Sequence, residues 1–182
     1  LHGPELLARG LARLRSEGLP AGIPWLMTEY GYSAFSARQE VDLPGALFNA
    51  DAVGAFLTMG GDAAYLYGYE PADLIREGEG TWGNNAILLA DENGGARWKT
   101  AMYHGARLLA RIWTQPGGGE HRMYRAVSGV RQAGGQPLVT AYAVVRPDGL
   151  WSILLVNKDP ARSWTLRLRL RDERTGRVTS LR

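Results

Sequence analysis

Cysteine is absent from the 182 residues, which excludes a disulfide framework and any thiolate metal site and is compatible with every compartment. Histidine is scarce. His2, His104 and His121 are scattered without the spacing of metal ligands, so surface or packing roles account for them, and neither metal nor cofactor is expected. No apolar run reaches the roughly 20 residues that cross a bilayer as a helix, so no membrane span is expected. Charge of one sign is hardly in excess: a net charge of +3 does not by itself support nucleic acid or a membrane surface as a partner, and neither is expected. The opening LHGPELLARG carries a helical pattern and no recognisable secretory leader, and RTGRVTSLR stops as another strand begins. Both ends suggest truncation of a longer chain.

What is present is enough apolar material, 45%, for a real core, in a length that suits one large domain or two small ones. With 21% charged residues and no low-complexity stretch, disorder is not expected. Pro4 to Glu17 reads as an amphipathic helix, with Leu7, Leu11 and Leu14 on one face and Gly18 and Pro20 as the stop. Ile23 to Glu29 is a short run, apolar at nearly every position, as in a parallel strand covered on both faces. A polar loop, Tyr32 to Asp42, leads to a second helix from about Pro44 to Met59, and AAYLYGY, Ala63 to Tyr69, reads as the next strand. Strand, helix and strand at this spacing form a crossover unit joining parallel neighbours. A glycine-rich loop is expected from Glu70 to Gly95, then a helix over Ala96 to Trp113 with Trp98, Ala101, Met102, Gly105, Leu108, Leu109 and Ile112 in helical period.

After TQPGGGEH the period changes to two. RMYRAVSGV, PLVTAYAVV, LWSILLVN and SWTLRLRLR are strand candidates, and Asp148-Gly149 in RPDGL supplies a hairpin turn. This half is expected to be an antiparallel sheet, part of a sandwich, with the boundary at Pro116 to Gly119. The Arg167, Arg169 and Arg171 stripe reads most simply as the solvated face of the last strand, with polyanion binding as the lesser alternative because no aromatics are interleaved.

One acid stands out. Glu29 ends the apolar run, and in a parallel barrel the carboxyl ends of the strands carry the chemistry. Strict alternation puts Trp25, Met27 and Glu29 on one face. A carboxylate there is either a working group or an acid that has just cleared the strand and is solvated. Sugars offer apolar faces to aromatic rings, and aromatics are plentiful nearby: Tyr30 and Tyr32 flank Glu29, Tyr65, Tyr67 and Tyr69 stripe the next strand, and Trp82 follows. For Tyr65 and Tyr67 core packing is the preferred reading.

WLMTEYG, followed about forty residues on by AAYLYGYEP, resembles strands seven and eight of the clan A glycoside hydrolases, and LLADENGGARWKTAMYHGARLL resembles the run and final helix that close such barrels. The β-rich tail is similar to the C-terminal sandwich of the β-xylosidase, arabinofuranosidase and glucuronidase relatives. The resemblance implies the C-terminal fragment of a (β/α)8 TIM barrel over residues 1–115, followed by a partial antiparallel β-sandwich over 120–182. It implies a retaining enzyme acting on an oligo- or polysaccharide, with Glu29 as nucleophile and the acid/base carboxyl at the end of strand four, upstream of Leu1. By position, Tyr32, Tyr69, Glu70, Trp82 and Asn84 become substrate contacts, Asn84 and Asn85 also being explained by a turn. Glu70 ends the neighbouring strand and is the alternative acid. An extracellular or periplasmic location follows from the resemblance alone. Two other readings stand beside it: a non-catalytic carbohydrate-binding module whose working part is the β-half, and a degenerate barrel serving as an interaction scaffold.

Overall fold

The computed structural model describes residues 3–20, 22–32, 39, 41–72, 74–77, 80–83, 86–172 and 174–180, the side chains of 74–77 and 80–83 excepted. Helix α1 (Gly3–Ser16) leads to strand β1 (Leu26–Tyr30), helix α2 (Leu43–Thr58) and strand β2 (Ala63–Leu66). β1 starts later than the apolar run because Pro24 has no amide to give a ladder. The Trp25 amide is instead held by Asp62 Oδ2 at 2.7 Å. α2 starts where Asp42 accepts a hydrogen bond from the Leu43 amide, with Pro44 in its first turn, and it ends at Gly60, whose φ is +93°. β1 and β2 are parallel, and among the described residues they pair only with each other, so no closed barrel forms there.

The stretch expected as a loop after β2 contains short strands. β3 (Leu74–Glu77) pairs with β4 (Gly80–Gly83), and β5 (Leu88–Ala90) with β6 (Ala96–Lys99), all antiparallel. Asp91 closes the second hairpin by accepting hydrogen bonds from the Asn93 and Gly95 amides, with Gly94 at φ +77°. β6 therefore takes the residues assigned to the start of the last helix. Thr100, extended at ψ 172°, breaks the chain direction, and α3 (Ala101–Leu108) begins one residue later, closing in a π-helical turn, Leu109–Trp113. Trp98 is thus on a strand and half in solvent, with the Arg97 guanidinium over its ring at 4.2 Å.

The second half contains an antiparallel sheet in the order β7 (Arg122–Tyr124), β8 (Val139–Val145), β9 (Trp151–Asn157). β8 and β9 pair over their full length about the expected turn, where Gly149 has φ +81°. A separate ribbon joins β10 (Arg169–Arg171) to β11 (Val178–Ser180). In SWTLRLRLR the alternation is real, with Leu166, Leu168 and Leu170 half-buried and the arginines exposed, but only its last residues have a strand partner. RMYRAVSGV likewise forms a strand only at its start.

The two halves share one core. Ala50, Val53 and Ala55 of α2, Leu109 and Trp113 of the π-turn, and Tyr142, Val144, Leu154 and Val156 of β8 and β9 form a single buried cluster. α2 is buried almost all round, against α1, α3 and the β7–β8–β9 sheet. The result is a mixed α/β fold organised about α2.

Candidate functional site

Glu29 is placed by an irregularity in β1. Met27 pairs with Ala64 and Tyr30 with Leu66, so Thr28 and Glu29 together face the single residue Tyr65. That is a β-bulge, which adds one residue and reverses the alternation beyond it. Ala64, Leu66 and Tyr30 pack on the helix layer, and Met27, the ladder partner of Ala64, faces the same side. Glu29 is exposed with Leu26 and Thr28 on the opposite, uncovered side. The expectation that Met27 and Glu29 share a face is corrected: the bulge separates them.

The tyrosines of β2 require a second correction. With Ala64 and Leu66 turned to the helices, Tyr65 and Tyr67 project the other way and are 55% and 49% exposed. They are not core residues. The uncovered side therefore carries Glu29 opposite Tyr65, with Tyr67, whose amide bonds to the Tyr30 carbonyl at 3.0 Å, one step further along. The carboxylate of Glu29 takes no hydrogen bond or ion pair from any described residue.

The remaining expected contacts are dispersed. Tyr32 packs edge-on against Phe48 of α2, centroids 5.3 Å apart, which ties it to the helix layer. Tyr69 is exposed just beyond β2, and Glu70 follows it, exposed and without a described partner. The backbone of Trp82 lies on β4 opposite Ile75. Asn84 and Asn85 lie outside the described residues. Of the histidines, His104 is exposed on α3, and His121 accepts a hydrogen bond from the Gln115 amide at 2.9 Å, a structural role. Among the described residues no group of three or more His, Cys, Asp or Glu is placed to hold a metal ion, and no helix is long and apolar enough to cross a membrane.

On the helix side a half-open cavity of about 210 Å³ runs between α2, α3 with its π-turn, and the β1–β2 sheet. Val53, Leu57, Leu109 and Trp113 supply apolar walls, and Tyr30 and Tyr69 supply phenols. Burial and the neighbouring Tyr69 push the Tyr30 phenol up to about 12, so it stays protonated at any physiological pH. Glu29 does not line this cavity. The open face and the cavity are separate features.

Sequence reasoning also passed over a buried polar cluster. Asp51, fully buried in α2, accepts hydrogen bonds from Thr140 Oγ1 and from Tyr142 Oη at 2.6 Å, and pairs with Lys158 Nζ at 2.9 Å. Its signal in the sequence is an acid inside the apolar run NADAVGAF. Comparison with known protein families, curated proteins and solved structures finds no match to this chain. The functional reading rests on the residues themselves.

Proposed function

We propose that this chain carries part of the site of a retaining O-glycoside hydrolase, with Glu29 as its nucleophile and an oligo- or polysaccharide as substrate. The observation that supports the reading most directly is the bulge in β1, a device that re-aims side chains next to working sites. It turns an unpaired carboxylate out beside the exposed rings of Tyr65 and Tyr67. A carboxylate can attack an anomeric carbon, and phenol rings offer a platform to the apolar face of a sugar. In the reaction Glu29 forms a bond to the anomeric carbon as the bond to the leaving oxygen breaks. A second carboxyl, about 5–5.5 Å away, gives that oxygen its proton and then takes one from the water that releases the sugar. The resemblance assigns this partner to the end of strand four, upstream of Leu1. The finer architecture, a barrel segment followed by part of a sandwich, belongs to the same proposal.

The test is covalent labelling of the full-length protein with a 2-deoxy-2-fluoroglycosyl inactivator and mapping of the labelled peptide. We expect the label on Glu29 and its loss in Glu29→Gln, with turnover down at least about a thousandfold, the scale of losing a covalent nucleophile. A labelled peptide without Glu29 refutes the assignment. A second reading, non-catalytic sugar binding, is favoured by one pair of residues: Tyr124 and Trp151 lie with ring centroids 4.7 Å apart on the β-sheet, both more than a third exposed. It predicts that Tyr124→Ala with Trp151→Ala abolishes glycan binding while Glu29→Gln leaves it intact.

A further inference from the structure

Between Pro160 and Arg182 the sequence holds seven arginines, no lysine and only two acids, Asp172 and Glu173. A net charge of +3 for the whole chain conceals this concentration at one end. The structure adds two facts. The β10–β11 ladder turns the segment back on itself, so that Arg169 faces Ser180 and Arg171 faces Val178, while Arg174 and Arg177 lie in the connection between the two strands. Arg167, Arg169, Arg171, Arg174 and Arg177 are all exposed, and none is engaged in an ion pair with a described residue. Asp172 makes no ion pair with them among the described contacts: its Oδ1 accepts from the amides of Arg174 and Thr175, and hydrogen bonding to the Thr175 side chain, then to these amides, holds its carboxyl below the usual range.

We propose that the β10–β11 ribbon is a docking surface for a linear acidic polysaccharide, bound through the guanidinium groups of Arg167, Arg169 and Arg171. Alternate residues of an extended chain repeat every ~6.7 Å on one face, so these three form a row of like charges with the half-buried Leu168 and Leu170 turned the other way. Exclusive use of arginine favours forked, bidentate recognition of planar oxyanions over charge attraction alone. A polymer with a carboxylate on successive sugars supplies such a row. Nucleic acid is less well matched. The exposed residues interspersed on the ribbon, Thr175, Val178, Thr179 and Ser180, include no aromatic ring on which bases could stack. This inference is independent of the role of Glu29, because binding is read without turnover.

The experiment is affinity electrophoresis of the full chain through gels containing polygalacturonate, with dextran as the neutral polymer and a competing double-stranded DNA fragment in a further arm. We expect retardation by polygalacturonate in low salt, its loss as added salt screens the contacts, and none by dextran. Arg169→Ala with Arg171→Ala should weaken binding at least about tenfold. The Arg169→Lys, Arg171→Lys pair keeps the charge and should still lose several-fold, because lysine cannot make the forked contact. Because both residues sit on an exposed ribbon, the unfolding midpoint is read alongside and should not move. Equal retardation of the wild type and the alanine pair, retardation by dextran, or DNA bound more tightly than polygalacturonate would each overturn the proposal.

Discussion

Tyr142 keeps its proton because the alternative would place two negative charges in the core. Burial pushes its phenol well above the ordinary value, and the neighbouring carboxylate of Asp51, to which the hydroxyl donates, adds to the effect. Tyr30 is raised to about 12 by burial and then by Tyr69. In the unfolded chain both phenols lose their protons near about pH 10. Above that pH the native state binds more protons than the unfolded one, so stability falls as pH rises, and the contribution is complete only below pH ~10. The expected loss is up to about 1.4 kcal/mol per pH unit for each tyrosine, ending near pH 12 for Tyr30. Urea midpoints compared between pH 9 and pH 11 check this. Tyr30→Phe should flatten the dependence, and a midpoint indifferent to pH would refute it. None of this was legible beforehand. Tyr142 alternates correctly as an inward residue of a strand, but its partner is ninety-one positions away on a helix.

α2 illustrates how an element is specified by what surrounds it. Its sequence, LPGALFNADAVGAFLT, is rich in small residues, and these mark close approaches. A Cβ on Gly54 would lie 2.3 Å from the Tyr142 ring, and one on Gly105 of α3 would lie 3.3 Å from Ala46. Gly54→Ala improves helix propensity by about 1 kcal/mol, yet the ring cannot retreat without breaking its bond to Asp51. We expect a net loss of about 2 kcal/mol from overpacking. Equilibrium denaturation measures it, and a stabilised variant would contradict the close packing. The limits of α2, expected at about Pro44 and Met59, were readable from local chemistry to within a residue, because such signals act within a turn of the chain. The bulge at Thr28 and Glu29 was not. It depends on how β1 meets β2, which no local alternation records. The extension of the last helix back to Ala96 failed for a related reason: an apolar residue at helical spacing, Trp98, also suits an exposed strand when a cation covers its ring.

The molecule is held together across its middle rather than at a linker. The main buried cluster draws on α2, the π-turn, β8 and β9 together, and the Asp51–Lys158 pair, with both side chains almost wholly buried, crosses the same boundary. A composition shift at Pro116 to Gly119 therefore marks a change of secondary structure but does not mark a gap in the packing. Residues 120–182 expressed alone should lose the partners of Tyr142, Val144, Leu154 and Val156 and leave Lys158 without its counter-charge. We expect that fragment to lack dispersed amide resonances and a cooperative thermal transition. A folded, cooperative fragment would show that the shared core is dispensable.

Local chemistry was enough to place α1 and α2, the parallel strand pair, the Asp148-Gly149 hairpin and the in-out alternation of the arginine strand, because each depends on residues a few positions apart. The side of the sheet on which Glu29 emerges, the exposure of Tyr65 and Tyr67, and the burial of Asp51 were settled by long-range packing. The physical reason is shared by all three: a side chain's surroundings come from register and from contact between distant elements, and those are properties of the folded chain alone.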